Sequence, residues 1–295
     1  MQYIINGLSL GAIYALFALG LSISWAGLNI LNLAHGAVFM AGALTAWWLT
    51  TTVPAVPFAV VLVLAVAVCA AIGLLMELLI FRRIRRQSTD EGQQTLATVI
   101  ATVATSSLLI AIASQITRNQ PQGLPQSAFV VESYTVWGVR VTNIQIIILV
   151  CAALASWAVA WFIKRSKQGQ ALRALSVDRD MATLLGVSTD RLSMATMAGA
   201  GAMAGLAGVL LAVQTNAVDA HMGEVLLFKA FAIIIIAGVG SIGATVAAAF
   251  ALAMVETLVA AYWISSMRDV VVFALIMGFL ILRPQGIASR AWQRA

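Results

Sequence analysis

Few side chains in this 295-residue chain are equipped for chemistry, and their spacing restricts what that chemistry could be. Gly238, Gly240 and Gly243 spell G-x-G-x-x-G, a pattern that cradles a pyrophosphate when it sits between a strand and a helix. Here it interrupts a nearly continuous apolar run over 226–262, with no alternation of strands and helices around it, so a dinucleotide site is not expected. No Gly-Lys-Ser or Gly-Lys-Thr occurs, which removes the lysine a phosphate loop needs and any expectation that the chain hydrolyses ATP. Glycines within an apolar run break a helix, and the freed backbone groups are tolerated only against protein or beside water. Gly238, Gly240, Ser241 and Gly243 are therefore candidates for a pathway or gate, with a plain structural turn as the equal alternative.

A second break falls over 28–36, where Asn29, Asn32 and His35 lie between apolar spans and Gly36 follows. Amides and an imidazole are costly against lipid, so Asn32, His35 and Gly36 are expected to face the bundle interior, as packing groups or lining a path. His35 has no titratable sequence neighbour, which argues against a proton relay. Glu256 lies well inside 243–262, where its carboxylate needs a partner such as Lys229 or hydration beside the pathway. Glu77, about a turn before Arg82, is expected to pair or snorkel. Cys69 and Cys151 lack the spaced Cys and His partners of a zinc site and read as packing residues. No catalytic group, metal site or cofactor is expected.

The elements that position these residues follow from composition. Hydrophobic residues make up 62% of the chain and charged ones 9%, with a mean hydropathy of +0.98; a soluble domain carries roughly 25% charged residues. A water-soluble globule is excluded. The net charge of +6 comes from basic clusters between apolar runs, a signature of membrane topology rather than of nucleic-acid binding. Spans of about 20 apolar residues fall near 4–25, 30–52, 57–81, 95–116, 144–163, 193–215 and 270–282, and 226–262 is long enough for two shorter helices. The first run follows Met1-Gln2-Tyr3 without a positive n-region, so it is expected to be a retained span rather than a cleaved signal.

The basic clusters are Arg82, Arg83, Arg85 and Arg86; then Lys164, Arg165, Lys167, Arg173, Arg179 and Arg191; then Arg283, Arg290 and Arg294. Placing all three in the cytoplasm requires 226–262 to cross twice, or to dip in and return at its glycines. The expected fold is an all-α polytopic transmembrane bundle of about 8–9 spans with broken helices, one domain over 1–295, N-terminus outside and C-terminus inside. The loop 117–143 is then external and the basic loop 164–192 cytoplasmic. Gly199, Gly201, Gly205 and Gly208 are expected to let helix backbones approach closely. No internal repeat is visible.

Within the cytoplasmic loop, apolar residues at 171, 174 and 175 have helical spacing, and the series breaks at Asp178 before resuming at 181, 182, 184 and 185. Two short amphipathic helices are expected, the second ended by Gly186. Exposed leucines there suit a docking surface, or a helix lying on the bilayer.

Three stretches together resemble the inner-membrane permease of branched-chain amino acid ABC importers, the LivH type: NGLSLGAIYALFALGLSISWAGLNILNLAHGAVFMAGA at 6–43, GQALRALSVDRDMATLLGVSTDRLSMATMAGAGAMAGLAGVLLAV at 169–213 and KAFAIIIIAGVGSIGA at 229–244. The closing MRDVVVFALIMGFLILRPQGI at 267–287 extends the similarity over nearly the whole chain. The resemblance implies a pore subunit that pairs with a second homologous permease, two cytoplasmic ATPase subunits and an external substrate-binding protein in the bilayer. It also implies that the loop from Arg173 to Val187, with Ala174, Asp178, Ala182, Leu184, Leu185 and Gly186, seats in the ATPase. The family pattern differs at Leu33, often phenylalanine, at the missing proline after Ile242 and at the alanines 247–249, changes near the proposed path that bear on solute identity. Related systems import urea, short amides or aromatic acids. A stand-alone channel or ion-coupled carrier would need more buried ionisable groups than Glu256 and His35 provide.

Overall fold

A computed structural model of the chain describes all residues except 54–55, 89, 126–128, 137–138, 263–267, 283–285 and 287–295. The third basic cluster, Arg283, Arg290 and Arg294, lies outside the described residues. In chain order the elements are α1 (Gln2–Leu28), α2 (His35–Thr52), α3 (Phe58–Met76), a π-helical turn (Glu77–Phe81), α4 (Arg82–Gln87), α5 (Glu91–Thr117), β1 (Ser133–Val136), β2 (Val139–Thr142), α6 (Asn143–Arg165), α7 (Lys167–Val177), α8 (Arg179–Leu184), α9 (Thr189–Thr215), α10 (Met222–Ala237), α11 (Ile242–Tyr262) and α12 (Arg268–Leu282). The described residues are all-α apart from an antiparallel hairpin, β1 paired with β2, in the 117–143 loop, where no strand was expected.

Six helices are long and apolar enough to cross a bilayer, counting Phe58–Gln87 as one. The 226–262 run divides at its glycines into α10 and α11, and α10 begins four residues earlier than the run suggests. Local chemistry sets the boundaries. Asn29 ends α1 and Asn216 ends α9, each in the left-handed region that asparagine tolerates better than most residues. Thr142 and Gln145 close a reciprocal capping box on α6, and Asp90 accepts from Gln93 N at 3.2 Å to start α5.

The centre of the bundle is α1 crossed by α9 and α11, with α2 and α3 against the other side of α9. Backbone contact through glycine holds these crossings together. A methyl group at Gly201 would overlap the Cys69 carbonyl oxygen, at Gly73 that of Met197, and at Gly208 that of Phe39. Gly7 and Gly11 likewise seat Met254 and Phe250 of α11 on α1. The expectation of close approach holds for Gly201, Gly205 and Gly208 but not for Gly199, which has no neighbour within 4 Å.

The structure contains a repeat that the sequence concealed. After α1, residues 29–34 are irregular, and α2 starts at His35, whose ring packs on Phe17 halfway along α1. Returning from Leu28 to the level of Phe17 means about 16 Å along a helix, within reach of six roughly extended residues. After α9 the chain does the same in the opposite sense: Val218 packs beside Ala43, Ala220 beside Ala37, and α10 starts with Gly223 against Gly36. Both breaks run from a left-handed asparagine (29, 216) to a glycine seven positions on (36, 223), with an Asn or Asp at the fourth position. Asn32 Oδ1 accepts from Ala34 N at 3.0 Å and Asp219 Oδ1 from His221 N at 2.8 Å. Two helices thus begin inside the bundle and touch at their first turns.

Gly201→Leu should lower the melting temperature of the detergent-solubilised protein, because overpacking of a tight core costs about 1–3 kcal/mol or more. Gly199→Leu, two residues away on the same helix, should leave it unchanged. Equal melting curves for the two variants would refute backbone contact as the reason for the glycines.

Candidate functional site

The first group of candidate pathway residues forms a packed junction. Asn32 is buried and spends its side chain on the turn before α2, while His35 Nε2 donates to the Phe17 carbonyl at 3.2 Å with the rings 4.7 Å apart. Gly36 and Gly223 press backbone to backbone, so a methyl on either would meet the carbonyl of the other. His35 is thus buried and hydrogen-bonded at the level where α2 and α10 begin.

The second group is the turn between α10 and α11. Gly238 and Gly240 have φ of 88° and 89°, a region that costs an ordinary side chain strain. Ser241 N donates to the Gly238 carbonyl at 3.2 Å, and the Ser241 carbonyl accepts from both Thr245 N (2.9 Å) and Thr245 Oγ1 (2.8 Å). Gly243 is exposed with open space beside it. Gly286 packs against the carbonyls of Ile235 and Ile236 at the end of α10, a contact that fixes this turn from the C-terminal side.

Glu256 stands at the centre of a charged network. It is 1% exposed, accepts from Lys229 Nζ at 2.8 Å and from the Tyr14 hydroxyl at 2.8 Å, and lies 3.2 Å from Arg268 Nε. Lys229, 3% exposed, also reaches Asp269 Oδ1 at 2.9 Å and donates to Tyr14 Oη at 3.3 Å. Two acids and two bases balance, and four helices, α1, α10, α11 and α12, are tied through one carboxylate. Lys229 gives Glu256 the partner its carboxylate needs, since an isolated ion in such a site would be several kcal/mol worse off. Tyr14, Arg268 and Asp269 were not singled out in the sequence, since residues 215, 39 and 40 positions from Lys229 carry no local signal. Glu77 is fully buried and pairs with Arg85, while Arg82 instead reaches Asp190 at 2.8 Å.

The third group is the basic loop, whose two short helices form as expected. Ser166 caps α7 through Gly169 N at 2.8 Å, and Asp178 separates the helices by accepting from Met181 N at 3.0 Å. Gly186, φ 85°, ends α8, with Gly186 N on the Thr183 carbonyl and Val187 N on that of Ala182. The loop has two faces. Leu172, a residue the sequence did not mark, is buried against Gly27 of α1, and Ala182 is buried too. Val177, Leu184 and Leu185 are more than 80% exposed, and Ala174 is exposed beside them. Arg173, Leu172, Gly27 and Gly240 line one small pocket, and Leu172 seats α7 on α1.

The chain is a polytopic helical bundle with two helices starting in its interior, a charge-balanced buried ion cluster and a projecting pair of short helices. Residues 3–280 match the family described as "Branched-chain amino acid transport system / permease component", and the chain belongs to that family. It is 30% identical to the high-affinity branched-chain amino acid transport system permease protein LivH of Escherichia coli K12 over 98% of this chain and 96% of the relative. It is likewise 30% identical to the permease protein BraD of Pseudomonas aeruginosa over the same shares, and 24% identical to a probable LivH of Methanocaldococcus jannaschii over 95% and 89%. Among solved structures, a chain of PsaBC from Streptococcus pneumoniae in complex with Fab has a TM-score of 0.51 at 15% identity, covering 98% of this chain and 94% of that one, a likeness of fold. Family membership makes the chain a multi-pass permease component rather than an enzyme.

Removing one member of the buried network should cost far more than removing a pair. Lys229→Met should destabilise the protein by about 3–5 kcal/mol, whereas Lys229→Met with Glu256→Met, which leaves the Arg268 and Asp269 charges balanced, should recover most of the loss. Chemical denaturation in detergent reads both; a double variant no better than the single one would show that the network is not a unit.

Proposed function

We propose that the chain is the pore subunit of an inner-membrane ABC importer that moves a branched-chain amino acid, or a similar small polar solute, into the cytoplasm by alternating access. It works with a second homologous permease, two cytoplasmic ATPase subunits and an external binding protein that selects the solute. The six long helices together with α2, α10 and α12 make nine crossings, of which α2 and α10 start part-way through the bilayer. The N-terminus is outside and the C-terminus inside. Asn32, His35, Gly36, the 238–243 turn and Glu256 belong to the elements that rearrange around the solute.

The observation that carries this reading is the two-faced loop 164–192. Leu172 anchors it on α1, and exposed Val177, Leu184 and Leu185 remain free to fill a groove in a partner, an apolar surface that is unfavourable in water. Force on the loop would pass through the Leu172 and Gly27 contact into α1, which α9 and α11 cross. Family relatives named as branched-chain amino acid permeases support the solute class.

The docking test belongs to the leucines, because Gly186 at φ 85° would strain any replacement by itself. Leu184→Glu with Leu185→Glu should abolish co-purification of the ATPase and ATP-driven uptake while leaving the melting temperature of the permease unchanged. Normal ATPase recovery would refute docking and leave a bilayer-lying helix as the account. Orientation is tested separately. In a background with Cys69→Ala and Cys151→Ala, cysteines placed at Gln120 and Gln170 should be labelled by an impermeant maleimide from outside and from inside, respectively. Labelling from the same side would overturn the crossing count.

A further inference from the structure

Where α7 ends, the structure leaves a cavity of about 440 Å³ that none of the features above uses. It has three walls: the end of α1 with the break after it, from Trp25 to Leu31; the first turns of α5, with Gln94, Thr95 and Thr98; and the last turn of α7, from Leu175 to Val177. Amides and hydroxyls are spread over all three, and no Lys, Arg, Asp or Glu lines the cavity among the described residues. Since a water occupies about 30 Å³ of liquid, the space holds on the order of ten waters. Such a space passes a hydrated solute without holding it, because the solute's charged ends keep their water.

The walls differ in how firmly they are held. Trp25 packs edge-on against Phe231 of α10, ring centroids 5.8 Å apart, and residues 29–31 run directly into the turn where Asn32 prepares the start of α2. Shortly before α5, α4 is clamped to the start of α9, where Arg82 Nη2 and Arg86 Nη2 both reach Asp190 Oδ2, at 2.8 Å and 3.2 Å. The α7 wall is looser. Its first half is anchored, with Gly169 against the Phe162 carbonyl and Leu172 on Gly27, but Val177 is 84% exposed and α8 beyond it buries only Ala182 among its described residues. Val177 thus belongs both to the exposed apolar face of the loop and to the wall of the cavity.

We propose that this cavity is the cytoplasmic mouth of the solute path and that the last turn of α7 is its movable wall, so that a partner seated on Val177, Leu184 and Leu185 sets the width of the mouth directly. The step needs no linkage through the bundle, because the surface that meets the partner and the surface that faces the cavity are carried on the same turn. The inference rests on the transport reading and orientation proposed above, which place this end of the bundle in the cytoplasm and an ATPase on the loop.

The test uses the complete transporter in nanodiscs, in a background with Cys69→Ala and Cys151→Ala, with a small cationic methanethiosulfonate as the thiol probe. Gln94→Cys, at a half-buried position in the α5 wall, should react at rates that differ by about fivefold or more between the nucleotide-free and the vanadate-trapped assembly, the low end of ordinary coupling between two sites. Gln170→Cys, exposed on α7 ahead of the Leu172 anchor, should react equally in both states. A bifunctional methanethiosulfonate that bridges Gln94→Cys to Ser176→Cys, verified by intact mass, should stop L-leucine uptake with the ATPase still bound, and reduction should restore it. Equal rates at Gln94 in the two states would overturn the movable wall, and so would no reaction in either, the outcome for a space filled by lipid tails. An equal change at Gln170 would mean shielding by the ATPase and would also overturn it, as would normal uptake in the bridged assembly. A nucleotide-dependent rate confined to Gln94 in an assembly that pumps no leucine would support the movable wall while overturning the solute reading.

Discussion

Every backbone N–H and C=O in a hydrocarbon interior must be paired inside the protein, and this constraint shapes the chain more than any other. Where helices stop short of the bilayer faces, the freed groups need close backbone neighbours or side-chain caps. The chain meets that need with glycine and with short polar side chains. Gly36 and Gly223 bring two helix starts together, and Asn32 and Asp219 bind the amide two residues ahead of them. Gly201, Gly205 and Gly208 then bring α9 close enough to α2 and α3 for dispersion to stabilise the crossing, the main attraction left where lipid is as apolar as leucine.

The same constraint explains the ion network. Four charges and a phenol sit between α1, α10, α11 and α12, where a lone charge would be strongly unfavourable and a balanced set is tolerated. Their geometry ties together the two helices flanking the 238–243 turn and the helix that follows. The basic loop 164–192 touches α1 where Leu172 meets Gly27, and it shares a small pocket with Gly240 of the turn. A bundle that alternates between two open states needs elements with two discrete arrangements rather than continuous bending, and α2 and α10, at 18 and 16 residues, are shorter than the six long helices.

Much of this was legible beforehand because its signals are local. Apolar run length, basic clusters and the periodicity broken at Asp178 gave the helices, the loop and its two short segments, and Gly186 ended the second as its position implied. The need of Glu256 for a counter-charge followed from burial in an apolar run, and Lys229 supplied it. The hairpin was missed because its strands are four residues each, too short to show a period.

What the sequence determined by itself was therefore composition-level and nearest-neighbour: a membrane bundle, its approximate spans, its broken positions and its family. Tertiary structure alone decided that the two breaks are copies of one another, since only an asparagine and a glycine at matched spacing survive in both and their equivalence lies in backbone geometry. It alone showed that Gly201 lies against a neighbouring backbone where Gly199 faces open space, because the side of a helix that meets a neighbour depends on which neighbour arrives. It alone gathered Tyr14, Lys229, Glu256, Arg268 and Asp269 around one point. A charge in the membrane announces that it needs partners, but Coulomb attraction acts through space, and which partners stand within 3 Å is fixed only when the helices cross.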